Sequence, residues 1–138
     1  MHQGLDYKDI SLISRQISTI KSRDEINIEQ YFPFTSQVFN PIIASPMRDV
    51  ISKEVILKMN EQKSIAIVDR FRPIEEQIEL LKISYIPSAS IGINGDCEKD
   101  FLKLSDYTNF FCIDVANSSS VYVLDKLIRF NHINPNAK

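Results

Sequence analysis

Four short apolar runs, each closed by polar or turn residues and followed by a helical pattern, constrain this chain more than any other feature. The runs begin near residues 41, 64, 86 and 110, a spacing of 22 to 24 residues. The first, Ile42-Ile43-Ala44, stops at Ser45-Pro46. A continuous apolar run between turn residues predicts a strand buried on both faces. Pro46 has no N–H for a sheet ladder, so the strand ends there. Ser52 then opens a helix with Val55, Ile56 and Met59 on one face. The second run, Ser64-Ile65-Ala66-Ile67-Val68, ends at Asp69-Arg70-Phe71-Arg72-Pro73. Pro73 suits the first turn of a helix that carries Ile74, Ile78 and Leu81. The third run, from Ile86 to Ile93, has Pro87 at its start and the turn Asn94-Gly95-Asp96 behind it. The fourth, Phe110-Phe111-Cys112-Ile113, leads through Asp114-Val115-Ala116-Asn117 to a serine cap and a helix with Val121, Leu124, Leu127 and Ile128.

Alternating strands and helices predict an α/β fold with a parallel sheet. Two architectures fit: a doubly wound sheet, or part of a (β/α)8 barrel, of which four units are present and a complete example needs about 250 residues. In parallel α/β folds ligands bind at the carboxyl ends of strands. That edge would receive Ser45, Met47, Arg48 and Asp49 from the first unit. Before the first run the chain is mixed. Ile26 and Ile28 flank Asn27 with a period of two, which predicts a brief strand. Lys21-Ser22-Arg23-Asp24-Glu25 is a charged turn, and Phe32-Pro33-Phe34 with Val38-Phe39 pack against the body. The organisation expected is a single domain, 1–138, with residues 1–40 as an extended N-terminal arm, 41–131 as four βα units and 132–138 as a tail that frays.

Composition excludes several classes of function. A net charge of −2 argues against a general nucleic-acid or anionic-membrane surface. No apolar run approaches the roughly 20 residues of a membrane span, and no basic-then-apolar leader is visible, so a cytoplasmic location is the expectation. Cys97 and Cys112 lack paired spacing for zinc or a disulfide framework and read as free thiols. Cys112 lies inside an apolar strand, where burial makes a thiol inert. Cys97 sits among acidic neighbours that disfavour a thiolate. His2 and His132 lie in terminal segments. No catalytic residue and no metal ligand is assigned.

Six segments in order resemble the IMP dehydrogenase/GMP reductase family. They are Leu5-Asp6-Tyr7-Lys8-Asp9-Ile10-Ser11-Leu12-Ile13, Ser22-Arg23-Asp24-Glu25, Pro41-Ile42-Ile43-Ala44-Ser45-Pro46-Met47, Asp69-Arg70-Phe71, Ser88-Ala89-Ser90-Ile91-Gly92 and Ile113-Asp114-Val115-Ala116-Asn117. The resemblance covers about Leu5 to Phe130 and implies the first half of a TIM barrel. It implies hydride transfer at C2 of a purine nucleotide through a cysteine thioimidate: IMP to XMP with NAD, or GMP to IMP and ammonia with NADPH. Asp-Val-Ala-Asn looks like the GMP reductase branch and Ala-Ser-Pro-Met like the dehydrogenase; the balance leans to the reductase. The resemblance places Ser45 and Met47 beside the purine nucleotide. It places Asp114, Val115 and Ala116 at the nicotinamide riboside, Ser22 and Arg23 at the adenosine end of the cofactor, and Arg70 near the site. Departures are equally specific. Asp69 stands where the family has histidine, Arg48 where the dehydrogenases have aspartate, and Ser118 where the reductases have glycine. The glycine-rich loop that carries the family's nucleophilic cysteine and its potassium site is absent from these 138 residues. The expectation is therefore an N-terminal half of a purine nucleotide oxidoreductase, inactive alone, that self-associates or pairs with a C-terminal half-barrel. The alternative is a non-enzymatic nucleotide-binding or regulatory module that joins full-length homologues.

Overall fold

The computed structural model describes residues 6–14, 17–33 and 36–138. Leu5 of the first resembling segment, His2 and Phe34 lie outside the described residues. Among the described residues six short strands and four α-helices follow one another in the expected rhythm. Strands β1 (Gln30–Tyr31) and β2 (Val38–Phe39) form an antiparallel pair. Then come β3 (Ile43–Ala44), α1 (Lys53–Glu61), β4 (Ile65–Ala66), α2 (Ile74–Ile83), β5 (Ser88–Ile91), α3 (Cys97–Leu104), β6 (Phe110–Ile113) and α4 (Val121–Ile133).

Strands β3 and β4 pair in parallel, with Ile43 opposite Ile65 and Ala44 opposite Ala66. Strands β5 and β6 also pair in parallel, from Ser88 opposite Phe110 to Ile91 opposite Ile113. A parallel bridge between Val68 and Ala89 joins the two pairs: the Val68 N–H donates to the Ser88 carbonyl and the Ser90 N–H to the Val68 carbonyl, both at 2.8 Å. Strand order thus follows chain order, β3-β4-β5-β6, with no reversal within these four strands. Helix neighbours also follow chain order, α1 on α2, α2 on α3 and α3 on α4.

Local chemistry explains the helix limits. The Ser52 hydroxyl accepts from the Val55 N–H at 3.2 Å and starts α1, and the Ser120 hydroxyl accepts from the Tyr122 N–H at 3.3 Å and starts α4. Pro73 stands one position ahead of the first turn of α2, at its N-cap. Gly95 supplies the positive φ that turns the chain into α3.

Side chains alternate across the sheet. Ala44, Ala66, Val68 and Ala89 face the helices and share a core with Ile51, Ile56, Leu80 and Leu81. Ile91 and the rings of Phe101 and Phe130 form a second cluster under α3 and α4. The other face of the sheet carries Ile43, Ile65, Ile67, Phe110 and Cys112. With Phe32 of the arm these residues line an apolar cavity of about 240 Å³. Phe32 packs edge-on to Phe39 and Phe110, which anchors the β1–β2 hairpin at the amino end of that face.

Three expectations are corrected. β3 is not buried on both faces: Ile42 and Ile43 are 57% and 52% exposed, because among the described residues no strand lies on the outer side of β3. No strand forms at Ile26–Ile28; pairing falls instead at Gln30–Tyr31, where Val38–Phe39 is there to receive it. The end of the chain is not frayed. Helix α4 runs to Ile133, Ala137 packs on the second cluster, and Lys138 lies along the outer edge of β6. The Lys138 N–H donates to the Asn109 carbonyl at 2.7 Å, and the Phe111 N–H donates to the Lys138 carbonyl at 2.9 Å. The unpaired edge of a β-strand offers these backbone groups, and the tail takes them.

Candidate functional site

All four strands point their carboxyl ends the same way, so the segments that follow them share one rim of the sheet. Arg70 follows β4, Gly92 follows β5 and Asp114 follows β6. The Arg70 Nε donates to the Asp114 Oδ2 at 3.0 Å across the intervening strand end, and each side chain is 34% exposed. The guanidinium also lies over the Phe71 ring, 4.2 Å from its centroid. Gly92 makes this path possible. A Cβ there would sit 3.2 Å from Arg70 Nη1, so any larger residue presses on the guanidinium. Asp114 is held from behind by its own N–H, which donates to the Ile91 carbonyl at 2.9 Å. Among the described interactions, Asp114 Oδ1 and the two terminal nitrogens of Arg70 have no protein partner. Carboxylate oxygens accept from hydroxyls, and a guanidinium fork matches phosphate. The rim therefore offers one acceptor and one cationic donor group side by side, the donor set a ribose next to a phosphate requires.

A second ion pair underlies the first. Asp69 is fully buried, and the Arg72 Nε donates to its Oδ2. The Arg72 Nη2 reaches the carbonyls of Arg48, at 2.8 Å, and of Ile51. Burial alone would lower the Arg72 pKa, but the hydrogen bond and charge of Asp69, with Glu76, hold it above its ordinary value. Arg72 thereby ties the segment after β4 to the loop after β3, which carries Ser45 and Met47. Ser45 and Met47 are exposed on that loop. The Met47 N–H donates to the Ser45 carbonyl at 2.8 Å, and the Met47 carbonyl accepts from Val50 and Ile51.

The structure brings Arg70 and Asp114 into contact, with Val115 and Ala116 continuing from Asp114. Ser45 and Met47 share the rim without touching them. Ser22 and Arg23 form no contact with the rim: Ser22 caps a short 3-10 turn, Arg23–Glu25, by accepting from the Asp24 N–H at 3.3 Å. Four contributors escaped the sequence reading. Asp69 and Arg72 carry only a weak signal, opposite charges three residues apart at the end of an apolar run. Gly92 carries none beyond being a glycine at a strand end, and Phe71 reads as one more apolar residue.

The thiols are poorly placed for chemistry. Burial pushes the Cys112 thiol above its ordinary pKa, and the Asp114 carboxylate adds to the rise. Cys97 is buried in the cluster under α3 and α4. Among the described residues no group of three or more His, Cys, Asp or Glu side chains could hold a metal ion, and no helix is long and apolar enough to cross a membrane.

No family model matches the sequence. Curated relatives do. The chain is 28% identical over 145 residues to a GMP reductase of Shewanella pealeana, which covers 96% of this chain and 42% of that protein. It is 31% identical over 137 residues to a GMP reductase of Lactobacillus acidophilus, covering 93% and 40%. The inosine 5'-monophosphate dehydrogenase of Legionella pneumophila superposes with a TM-score of 0.76 at 22% identity, over 88% of this chain and 39% of that one. The chain thus spans about two fifths of the length of the proteins it matches. Similarity along nearly its whole length to the reductases, and an α/β fold shared with the dehydrogenase, support a relationship of this chain to the IMP dehydrogenase/GMP reductase family.

Proposed function

We propose that the chain is the N-terminal half of the barrel of a purine nucleotide oxidoreductase, on the GMP reductase side of its family, and that it supplies the cofactor-facing rim of the site. The observation that carries this reading is the Arg70–Asp114 pair at adjacent strand ends, each partner with polar atoms left for a ligand. Asp114 accepts from the hydroxyls of the nicotinamide riboside, with Val115 and Ala116 against the same group. Arg70 donates to a neighbouring phosphate. Ser45 and Met47 lie along the purine nucleotide, GMP or IMP, and Ser22 with Arg23 takes the adenosine end of NADPH or NAD. When bound, the nicotinamide supplies the hydride chemistry. What these residues contribute is placement and charge.

The attacking thiolate must come from outside these 138 residues, since the glycine-rich cysteine loop is not among them and Cys112 is biased toward its protonated form. The chain alone therefore binds without turnover. Calorimetric titration of the chain with NADPH, with and without GMP, tests the reading. Saturable binding that Asp114→Ala weakens by about tenfold or more is the expected result. An ion pair this exposed contributes only about 0–1 kcal/mol to folding, so the variant stays folded and the loss reports on the site. Binding that is absent, or indifferent to Asp114→Ala, removes the proposal. Steady oxidation of NADPH by the pure chain, followed by its near-ultraviolet absorbance, removes the claim of inactivity.

A further inference from the structure

We propose that Arg72 is a positioning residue for the purine-nucleotide part of the site: its guanidinium, anchored on the buried Asp69, holds the loop after β3 in the shape that presents Ser45 and Met47. The proposal rests on the functional reading above, in which that loop lies along the nucleotide.

The loop has little packing of its own. Residues 47–50 are all exposed. Its backbone makes one turn, in which the Met47 carbonyl accepts from the N–H groups of Val50 and Ile51, both at 2.9 Å. An exposed turn with few buried contacts opens readily. The core fixes only its far end, through the fully buried side chain of Ile51. Arg72 supplies the second hold. Its Nη2 donates to the carbonyl of Arg48, at 2.8 Å, and to that of Ile51. One nitrogen thus bridges the turn from its exposed stretch to its buried end.

The arginine is itself held on every side. Its Nε donates to Asp69 Oδ2, and Asp69 is fully buried. The other oxygen of Asp69 accepts from the Phe71 N–H at 3.3 Å. The Arg72 Nη1 donates to Glu76 Oε1 at 3.3 Å. Gln77, buried in α2, donates through Nε2 to the Arg72 carbonyl at 2.9 Å. A guanidinium spreads its N–H groups in a rigid plane, so it can serve a carboxylate and two carbonyls at once; an ammonium is a single point of charge. Bonds from a charged donor are also roughly twice as strong as neutral ones. Asp69 and Glu76 balance the charge of Arg72, and the bonds to the loop carbonyls set where the loop lies. The Arg70–Asp114 pair does not use this hold. It depends on the space at Gly92, the Phe71 ring and the bond from the Asp114 N–H to the Ile91 carbonyl. Loosening Arg72 should therefore affect one part of the site and spare the other.

Arg72→Lys separates positioning from stability. Lysine keeps a positive charge beside Asp69, but it cannot bridge the carboxylate and both carbonyls. In calorimetric titration of the chain, the variant should bind GMP about tenfold or more weakly and NADPH within about twofold of the unchanged protein. Amide hydrogen exchange, read residue by residue by nuclear magnetic resonance, should quicken about tenfold or more at Val50 and Ile51 while β5 keeps its protection. Glu76→Gln removes only the exposed partner of Arg72 and should move neither readout. Should Arg72→Lys fail to fold, Asp69→Asn with Arg72→Met takes its place, because it removes both buried charges together; the same results are expected. Unchanged exchange at Val50 and Ile51 overturns the proposal. So does equal weakening of GMP and NADPH, or an effect of Glu76→Gln as large as that of Arg72→Lys. An unaltered chain that binds neither nucleotide overturns the functional reading instead, and the exchange at Val50 and Ile51 decides separately whether Arg72 holds the loop.

Discussion

Strands β3 and β4 share the dipeptide Ile-Ala, and the structure pairs the two copies residue for residue, Ile43 with Ile65 and Ala44 with Ala66. Ile65 is 2% exposed and Ile43 is 52% exposed. Chemistry and backbone are the same, so the difference lies in the neighbours. β4 has β3 on one side and, through the Val68–Ala89 bridge, β5 on the other. Among the described residues β3 has a partner on one side only. Strands β5 and β6 repeat the contrast: Ser88, Ala89, Ser90 and Ile91 are all buried, while Phe110 to Ile113 are all half-buried. Burial in a parallel sheet is thus a property of position in the strand order. An apolar run in the sequence states only that the strand expects neighbours on both sides.

The largest test of this contrast concerns the polar groups that the central strands bury. Asp69 leaves β4 fully enclosed, with Arg72 as its charged partner. Removing one member of a buried pair costs about 3–5 kcal/mol, because the other charge is left without compensation. Asp69→Ala should therefore lower stability by about that amount in urea denaturation. Arg70→Ala, at the half-exposed pair on the same rim, should cost no more than about 1 kcal/mol. Equal losses would mean that the rim does not distinguish inner from outer positions.

The paired isoleucines give the second test. Ile65→Ala deletes packed methylenes and should cost about 2–5 kcal/mol. Ile43→Ala in an isolated copy should cost less than about 1 kcal/mol, since little of its surface leaves water on folding.

The same contrast explains what the sequence could tell. Helix starts were legible because Ser52 and Ser120 cap by a local rule, and strand positions because each apolar run ends at a turn residue or a proline. The convergence of strand ends on one rim was legible, because strands of a parallel sheet share a direction whatever the side chains are, whereas Arg70 and Asp114 were singled out on it only by the family resemblance. Long-range pairing was not legible. Ile26 and Ile28 alternate like a strand, yet pairing goes to Gln30–Tyr31, where β2 and the Phe32–Phe39 ring contact draw the chain in. The tail composition of Asn131 to Lys138 reads as frayed, yet the open edge of β6 holds Lys138. Gly92 was invisible for the same reason: its importance lies in an arginine 22 positions away, whose guanidinium passes 3.2 Å from where a Cβ would be. Gly92→Ala should accordingly shift Arg70 off Asp114 and weaken nucleotide binding several-fold. The fold should hold, since the neighbour that must give way is the far end of a flexible side chain.

The smallest effect expected is at the outer boundary of the helix layer, where Lys126 and Arg129 of α4 meet Glu98 of α3. The Lys126 hydrogen bond holds the Glu98 carboxyl below its ordinary pKa and lifts Lys126 above its own. A carboxyl depressed in the folded state contributes stability above its unfolded pKa and loses that contribution as pH falls through the folded value. A raised lysine contributes below its unfolded pKa and loses it as pH rises through the folded one. The clasp should therefore be intact across neutral pH and fail at both extremes, first at α4. Hydrogen exchange in α4 should accelerate on acidification below the ordinary carboxylate range, while β4 and β5, which hold no group of this pair, keep their protection. Glu98→Gln should abolish the acid-dependent part and leave the rest. Protection that falls together in α4 and β5 would mean that the sheet centre and its boundary open as one unit, and the contrast between inner and outer strands would then describe exposure alone and not stability.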